Sequence, residues 1–372
     1  MVGNFLLFLT AILIPATPAG AAEKGVKIGL YLPMTGAAAA MGQMVYEGVL
    51  VAYKLEPRIL GQKVELALAD TRSDKIDAAN AVSRLIEKDK VAAIIGEVIS
   101  SDTLAGAPIA ERAKIPNISP TATNPLVTQG RKYAFRACFV DDLQGRVAAR
   151  FARDTLKARR AAVLIDQAQD YCVGLASFFM EEFKRRGGEI VSVNYIQSGD
   201  QDFTAQISVF KGKNPELIYA PNYYAESALL ARQLQDLGMK TPILTGDGAQ
   251  VPELLSIGGP AVEGMYFTAH FHREGVATEI GKKFVKAYES AYNKELDAFA
   301  ALGGECYFLV AEAIKQAGSL DGGKIAQALE GIRDFPGITG IITMGKDHNP
   351  IKLVMVLKVE KGKFAYQTTI KP

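Results

Sequence analysis

From residue 26 onward the chain alternates two kinds of hydrophobic pattern. Short apolar runs recur at 26–31, 64–68, 92–95 and 117–118, and between them lie longer stretches, 42–53, 76–88 and 102–113, with apolar residues at helical spacing. Short runs bounded by turn residues read as buried strands, and the longer spacing as helices with one buried face. In the second of these helices Ala78, Val82, Leu85 and Ile86 make that face. The same grammar restarts after residue 160, with strands predicted at 161–165, 190–195, 217–220 and 243–244 and helices at 174–186, 203–211 and 226–237. Gly187-Gly188 and Gly238 stop two of these helices, as glycine beyond a last turn does. Repeated strand–helix alternation predicts parallel sheets with right-handed crossovers, and two such groups predict two doubly wound, Rossmann-like α/β lobes. Three further helices, at 279–292, 303–317 and 323–330, precede a hairpin-like tail over 341–369.

Two of the apolar runs end in hydroxyl side chains. The run through Ile95 leads by Val98 and Ile99 into Ser100-Ser101-Asp102-Thr103, and the run through Ile118 into Ser119-Pro120-Thr121-Ala122-Thr123. In an open parallel sheet, ligands bind beyond the carboxyl ends of the strands, where helix N-termini present unpaired N–H groups. Small hydroxyls there suit a carboxylate. The same residue types also cap helices. Locally both readings stand: Ser101 or Asp102 as a cap, or Ser100 and the free N–H groups as an anion site. Thr121 and Thr123 alternate, so both can face one crevice, as ligand contacts or as braces of the loop.

Composition narrows the class. At 372 residues the chain holds about two domains of roughly 100–200 residues each. A net charge of +2 leaves no basic tract to follow a phosphate backbone, and Lys184-Arg185-Arg186 sits where a helix C-terminus favours cations, so nucleic acid is not an expected partner. The apolar stretch 5–14, followed by Pro15, Pro18 and Ala19-Gly20-Ala21-Ala22, reads as a secretory signal peptide over residues 1–22, too short to span a bilayer. The mature chain is expected to be exported and soluble. Cys138, Cys172 and Cys306 have no metal-ligand spacing, which leaves either a free thiol or three buried reduced ones. No GxSxG, Walker A, HExxH or GxGxxG motif is present, so no enzyme and no cofactor are expected. His270-Phe271-His272 would put two rings on one face of a strand, but no further metal ligand is in view; these histidines read as inter-lobe or surface residues.

Taken in order, Tyr31–Gly36 with Met41-Gly42, Ile95–Thr103, Ser119–Thr123, Asp170–Gly174, Ala220–Glu226, Thr245–Gly248 and Phe299–Gly303 resemble the periplasmic binding proteins for branched-chain amino acids, the type I solute-binding components of ABC transporters. The resemblance spans essentially the whole mature chain. It implies that an α-amino acid binds between two lobes, 23–141 with 271–349 and 142–270 with 350–372, joined by three hinge crossovers. By the same resemblance Ser100, the backbone of Ser101, Thr123 and the main chain at Thr121 would hold the carboxylate. Asp247 would pair with the ammonium beside Tyr223, Tyr171 and Phe299 would close over the ligand, and Met41, Val98 and Ile99 would line its side-chain pocket. On residues alone, Asp247 could also be a turn residue of Gly-Asp-Gly. A buried acid also needs a partner, so this position implies a cationic guest or a local base.

Five positions depart from the family pattern that the resemblance implies. Met41 stands where members often carry an aromatic, Gly304-Glu305 replaces Tyr-Asp, and Ser73 and Ile99 occupy positions where some members form a disulfide. The implied protein is a monomer in the periplasm that delivers a branched-chain or other hydrophobic amino acid to a membrane permease. The alternatives are an aromatic or aliphatic carboxylate, an amide or urea as ligand, or a sensing role.

Overall fold

The computed structural model describes residues 25–370, so the expected export signal lies outside the described residues. The first group of elements is β1 (Val26–Leu32), α1 (Ala39–Leu55), β2 (Arg58–Ile59), β3 (Gln62–Asp70), α2 (Lys75–Arg84), β4 (Ala93–Gly96), α3 (Ser100–Ala113), β5 (Asn117–Ser119) and β6 (Ala134–Arg136). The second runs α4 (Asp141–Arg150), β7 (Arg160–Asp166), α5 (Asp170–Arg185), β8 (Glu189–Ile196), α6 (Thr204–Lys213), β9 (Leu217–Tyr219), α7 (Tyr224–Asp236), β10 (Ile243–Thr245), α8 (Pro252–Gly258) and β11 (Tyr266–Ala269). The chain then returns to the first lobe for α9 (Glu279–Tyr292), α10 (Ala298–Ala317), α11 (Gly322–Glu330), β12 (Phe335–Pro336) and β13 (Ile341–Ile342), and ends in the second with β14 (Val354–Glu360) and β15 (Lys363–Ile370).

The first sheet has strand order β2-β3-β1-β4-β5-β6, and the second β15-β14-β11-β10-β9-β7-β8. Strands β3, β1, β4, β5 and β6 are parallel, as are β8, β7, β9, β10 and β11; β2, β14 and β15 are the antiparallel additions. This is the doubly wound architecture the alternation predicts. In each sheet the order reverses beside the first strand, between β1 and β4 and between β7 and β9. Such a switch point opens a crevice at the carboxyl ends. Asn222 holds the second one: its Oδ1 accepts the Asp166 N–H at 3.0 Å, and its Nδ2 donates to the Leu164 carbonyl at 3.4 Å.

Helices α1 and α10 fix the floor of the first lobe by touching backbone to backbone. A Cβ on Gly48 would lie 1.9 Å from the Ala300 carbonyl oxygen, and one on Gly303 2.4 Å from that of Val45. Helix α10 is buried along most of its length, so its apolar surface is continuous rather than one-faced. It begins five residues earlier than its pattern predicts because Asp297 accepts the Ala300 N–H at 2.8 Å as an N-cap. The expected hairpin over 341–369 is shorter: β13 pairs with β12, and only β14 and β15 pair as neighbours. All three cysteines are buried and free, and burial pushes the Cys138 thiol up to about 12. No described helix is long and apolar enough to cross a membrane.

Candidate functional site

Where the two switch points face each other they enclose a small cavity of about 10 Å³, lined by Met41, Val98, Ser100, Thr121 and Phe299 from the first lobe and Tyr171, Tyr223, Asp247 and Gly248 from the second. A larger groove of about 840 Å³ runs past Arg131, Lys346 and His348, but nearly all its lining comes from one lobe, so a guest there would bridge nothing.

The first wall is built on the N-terminus of α3. The helix starts at Ser100, two residues before the expected start, with Ile99 in the capping position and no side-chain cap. Neither Ser101 nor Asp102 is therefore the cap. The orphan N–H groups of the first turn remain for a guest, and the helix dipole favours an anion there. The Ser100 hydroxyl accepts the Asn124 N–H at 3.2 Å, which leaves its own proton to donate. Thr121 lines the cavity while its Oγ1 donates to the Val98 carbonyl at 2.9 Å. Thr103 and Ser119 likewise spend their hydroxyls on the backbone of Ile99 and Glu97. Fully buried Arg136 donates to the carbonyls of Ala122 and Asn124 and so holds the loop that carries Thr123.

Ser101, Thr123 and Ile99 lie beside the cavity rather than on its lining. Ser101 is used across the cleft. Its Oγ accepts the Asp170 N–H at 2.9 Å, the Asp170 carbonyl accepts from Asn124 Nδ2 at 2.8 Å, and the Asp170 carboxylate meets Lys75 at 3.3 Å. One residue of the second lobe is thus gripped by three elements of the first. Beneath this wall lie two acids. Burial, with Asp102 adding repulsion, pushes the Glu97 carboxyl well above its usual range; burial and Asp74 push Asp102 up to about 7, against a smaller pull from Lys75.

The second wall is a hydrogen-bonded network. Asp247 opens a single turn after β10, and its Oδ1 accepts from Gln144 Nε2 at 2.7 Å and the Tyr171 hydroxyl at 3.0 Å. Its Oδ2 lies 2.9 Å from His270 Nε2. Burial opposes the charge on Asp247, but His270 and the two other donors bring it below the usual carboxylate range; burial pushes His270 below its own usual range against the pull of Asp247. The acid thus accepts from three side chains at once. Its flanking glycines serve packing: a Cβ on Gly246 would sit 2.0 Å from the Tyr171 hydroxyl, and one on Gly248 2.9 Å from the Tyr223 ring. The two tyrosines stack with centroids 5.3 Å apart.

No pattern in the sequence marks Gln144 or Gly248; His270 is the inter-lobe residue the sequence suggests, and its bond to Asp247 is what no pattern records. Helix α4, which carries Gln144, was not foreseen because Gly145 and the polar Asp141 and Gln144 interrupt its apolar stripe; all three are buried. His270 follows the carboxyl end of β11, and the rule that singled out Ser100 after β4 applies to it equally.

Comparison with known proteins gives this geometry a context. The family model described as periplasmic binding protein matches residues 25–363. The chain belongs to the periplasmic binding protein family. Leu/Ile/Val-binding protein homolog 1 of Brucella suis biovar 1 is 30% identical over 348 residues, 92% of each chain. A solved leucine binding protein from Thermotoga maritima MSB8 superimposes with a TM-score of 0.92 at 48% identity, covering 93% of this chain and 99% of the other. A branched-chain amino acid transporter substrate binding protein from Streptococcus pneumoniae, solved in complex with isoleucine, gives a TM-score of 0.88 at 32% identity over 94% and 100%. Gly304 and Glu305 each have a local reason. Buried Glu305 accepts the N–H groups of Ile338 and Thr339 at 2.9 and 2.8 Å, pinning the loop that leads to β13, and a Cβ on Gly304 would lie 2.4 Å from the Phe284 ring.

Proposed function

We propose that this periplasmic binding protein captures a hydrophobic α-amino acid of the branched-chain type between its lobes and delivers it to an ABC transporter permease. In this reading residues 1–22 direct its export, and it works in the periplasm as a monomer. The observation that carries the proposal is the opposition of two unlike walls across one cavity: Ser100 and the α3 N-terminus on one side, anionic Asp247 on the other. A carboxylate and an ammonium on one carbon fit that pair of charges. Met41, Val98 and Phe299 offer the ligand an apolar surface in between.

A second reading has one observation in its favour. The donors on Asp247 come from the protein itself, so a carboxylate without an amine would not leave that acid unpartnered. A thermal-shift panel of the amino acids and of aromatic and aliphatic carboxylates separates the two. A ligand at 100 times its dissociation constant adds about 2.7 kcal/mol to stability. Stabilisation by leucine, isoleucine or valine is expected. Stabilisation by carboxylates with none from any α-amino acid would overturn the proposal in favour of the second reading.

A further inference from the structure

His270 is more than a neighbour of Asp247, and its placement gives it a role of its own. It is the first residue after β11, its side chain is 2% exposed, and it opens the passage back to the first lobe. Its ring lies over Phe139, centroid to centroid at 3.7 Å, and Phe139 belongs to the passage between β6 and α4. The ring therefore sits where two of the crossovers meet, directly behind the acid of the cavity.

The two ring nitrogens are not equivalent. Nε2 reaches Asp247 Oδ2 at 2.9 Å, and Nδ1 is buried with no partner among the described residues. A neutral ring satisfies this arrangement, with Nε2–H donating and Nδ1 a bare lone pair. A protonated ring would need a second acceptor, and a buried N–H without one is costly. The other titratable groups around the pair are Asp141 on α4, Tyr171 on α5, Arg136 at the end of β6, Cys138 at the first passage, and Lys352 at the third. Lys352 opposes a proton on His270. With the ring neutral, each group donating to Asp247 is uncharged, and the carboxylate keeps its full negative charge for a guest.

We infer that His270 is a positioning residue that sets the charge Asp247 presents: the neutral ring orients an anion toward a ligand ammonium, and a proton on the ring cancels that anion and releases the amine ligand in acid. This rests on the amino-acid reading above. It confines the effect to ligands with an amine, because the carboxylate wall is built from the other lobe.

The test measures dissociation constants of leucine and of 4-methylpentanoate, its counterpart without the amine, by calorimetry from pH 7.5 to 5 on the mature chain. For leucine the constant rises toward about tenfold per pH unit below the His270 midpoint, since the two cations compete for one acid. For 4-methylpentanoate no such rise occurs, and the ratio of the two constants removes any contribution from Asp102 and Glu97 beneath the shared carboxylate wall. His270→Gln, which keeps an N–H donor but cannot take the proton, loses the acid limb; Asp141→Asn keeps it. The chain has three histidines, so their ring signals can be followed by NMR in the unaltered protein, where leucine moves the His270 midpoint down. An acid limb that survives in His270→Gln, one that vanishes in Asp141→Asn, or a midpoint that leucine does not move overturns the inference. If His270→Gln fails to fold, the NMR titration decides alone. Leucine binding with a flat pH profile sinks this inference only, whereas no α-amino acid binding at any pH sinks the proposed function with it.

Discussion

The two walls of the cleft achieve opposite charge preference by different construction. The first uses backbone: a helix N-terminus at a strand end, with the hydroxyls of Thr103, Ser119 and Thr121 bracing the loops and Ser100, on the cavity lining, left to donate. The second uses side chains from four separate segments, with Gln144, Tyr171 and His270 converging on Asp247. A backbone wall tolerates the loss of one hydroxyl because its N–H groups remain. A network around one buried charge does not, because each donor offsets part of the desolvation of that charge.

That difference can be broken from either side. The largest effect is expected from Asp247→Ala, which leaves a ligand ammonium without its anion and costs roughly 2–5 kcal/mol of affinity for any α-amino acid. Calorimetry that finds leucine binding unchanged would remove Asp247 from the site. Ser100→Ala should cost less, about 1–3 kcal/mol, and should weaken carboxylates with and without an amine alike. Equal losses in the two variants would erase the contrast between the walls.

Smaller effects test the surroundings. Ser101→Ala and Asn124→Ala each remove one hydrogen bond to Asp170 and should cost about 0.5–1.5 kcal/mol of affinity through faster release, with selectivity unchanged. Stopped-flow release rates that stay constant would show these contacts to be neutral. Asp102→Asn addresses stability rather than binding. The folded-state value of Asp102 is raised to about 7, so its contribution is present in acid and is lost as pH rises through about 7. The variant should therefore gain thermal stability over the unaltered chain at pH 8 and little at pH 5, as read by calorimetric midpoints. Lys75→Ala is expected to change least, at most about 1 kcal/mol, because both partners of its ion pair are about half exposed.

The contrast also explains what could be read in advance. The first wall is legible in sequence because its pieces are contiguous: an apolar run, then hydroxyls, then a helix. Even there the helix start was displaced by two residues, since Ile99 offers no capping side chain for a pattern to find. The two-lobed winding was legible for a similar reason, in that each strand and helix carries its own period. The second wall was only half legible. Tyr171, Tyr223 and Asp247 followed from resemblance, but Gln144 and His270 meet Asp247 across 103 and 23 residues of chain. No local period records such a meeting. Gly246 and Gly248 illustrate the same limit: they suit a turn, and what requires them is the nearness of two tyrosines from elsewhere.

The backbone contact between α1 and α10 has a further consequence. Met41 and Phe299 both line the cavity from the first turns of these helices, while Gly48 and Gly303 set how closely the helices approach farther along. Gly48 lies about 10 Å along the axis from Met41 at 1.5 Å per residue. A methyl group there touches no ligand, yet it would push the two helices apart and move the cavity floor. The width available to a ligand side chain is in this sense written at a distance, in two residues that have no side chain.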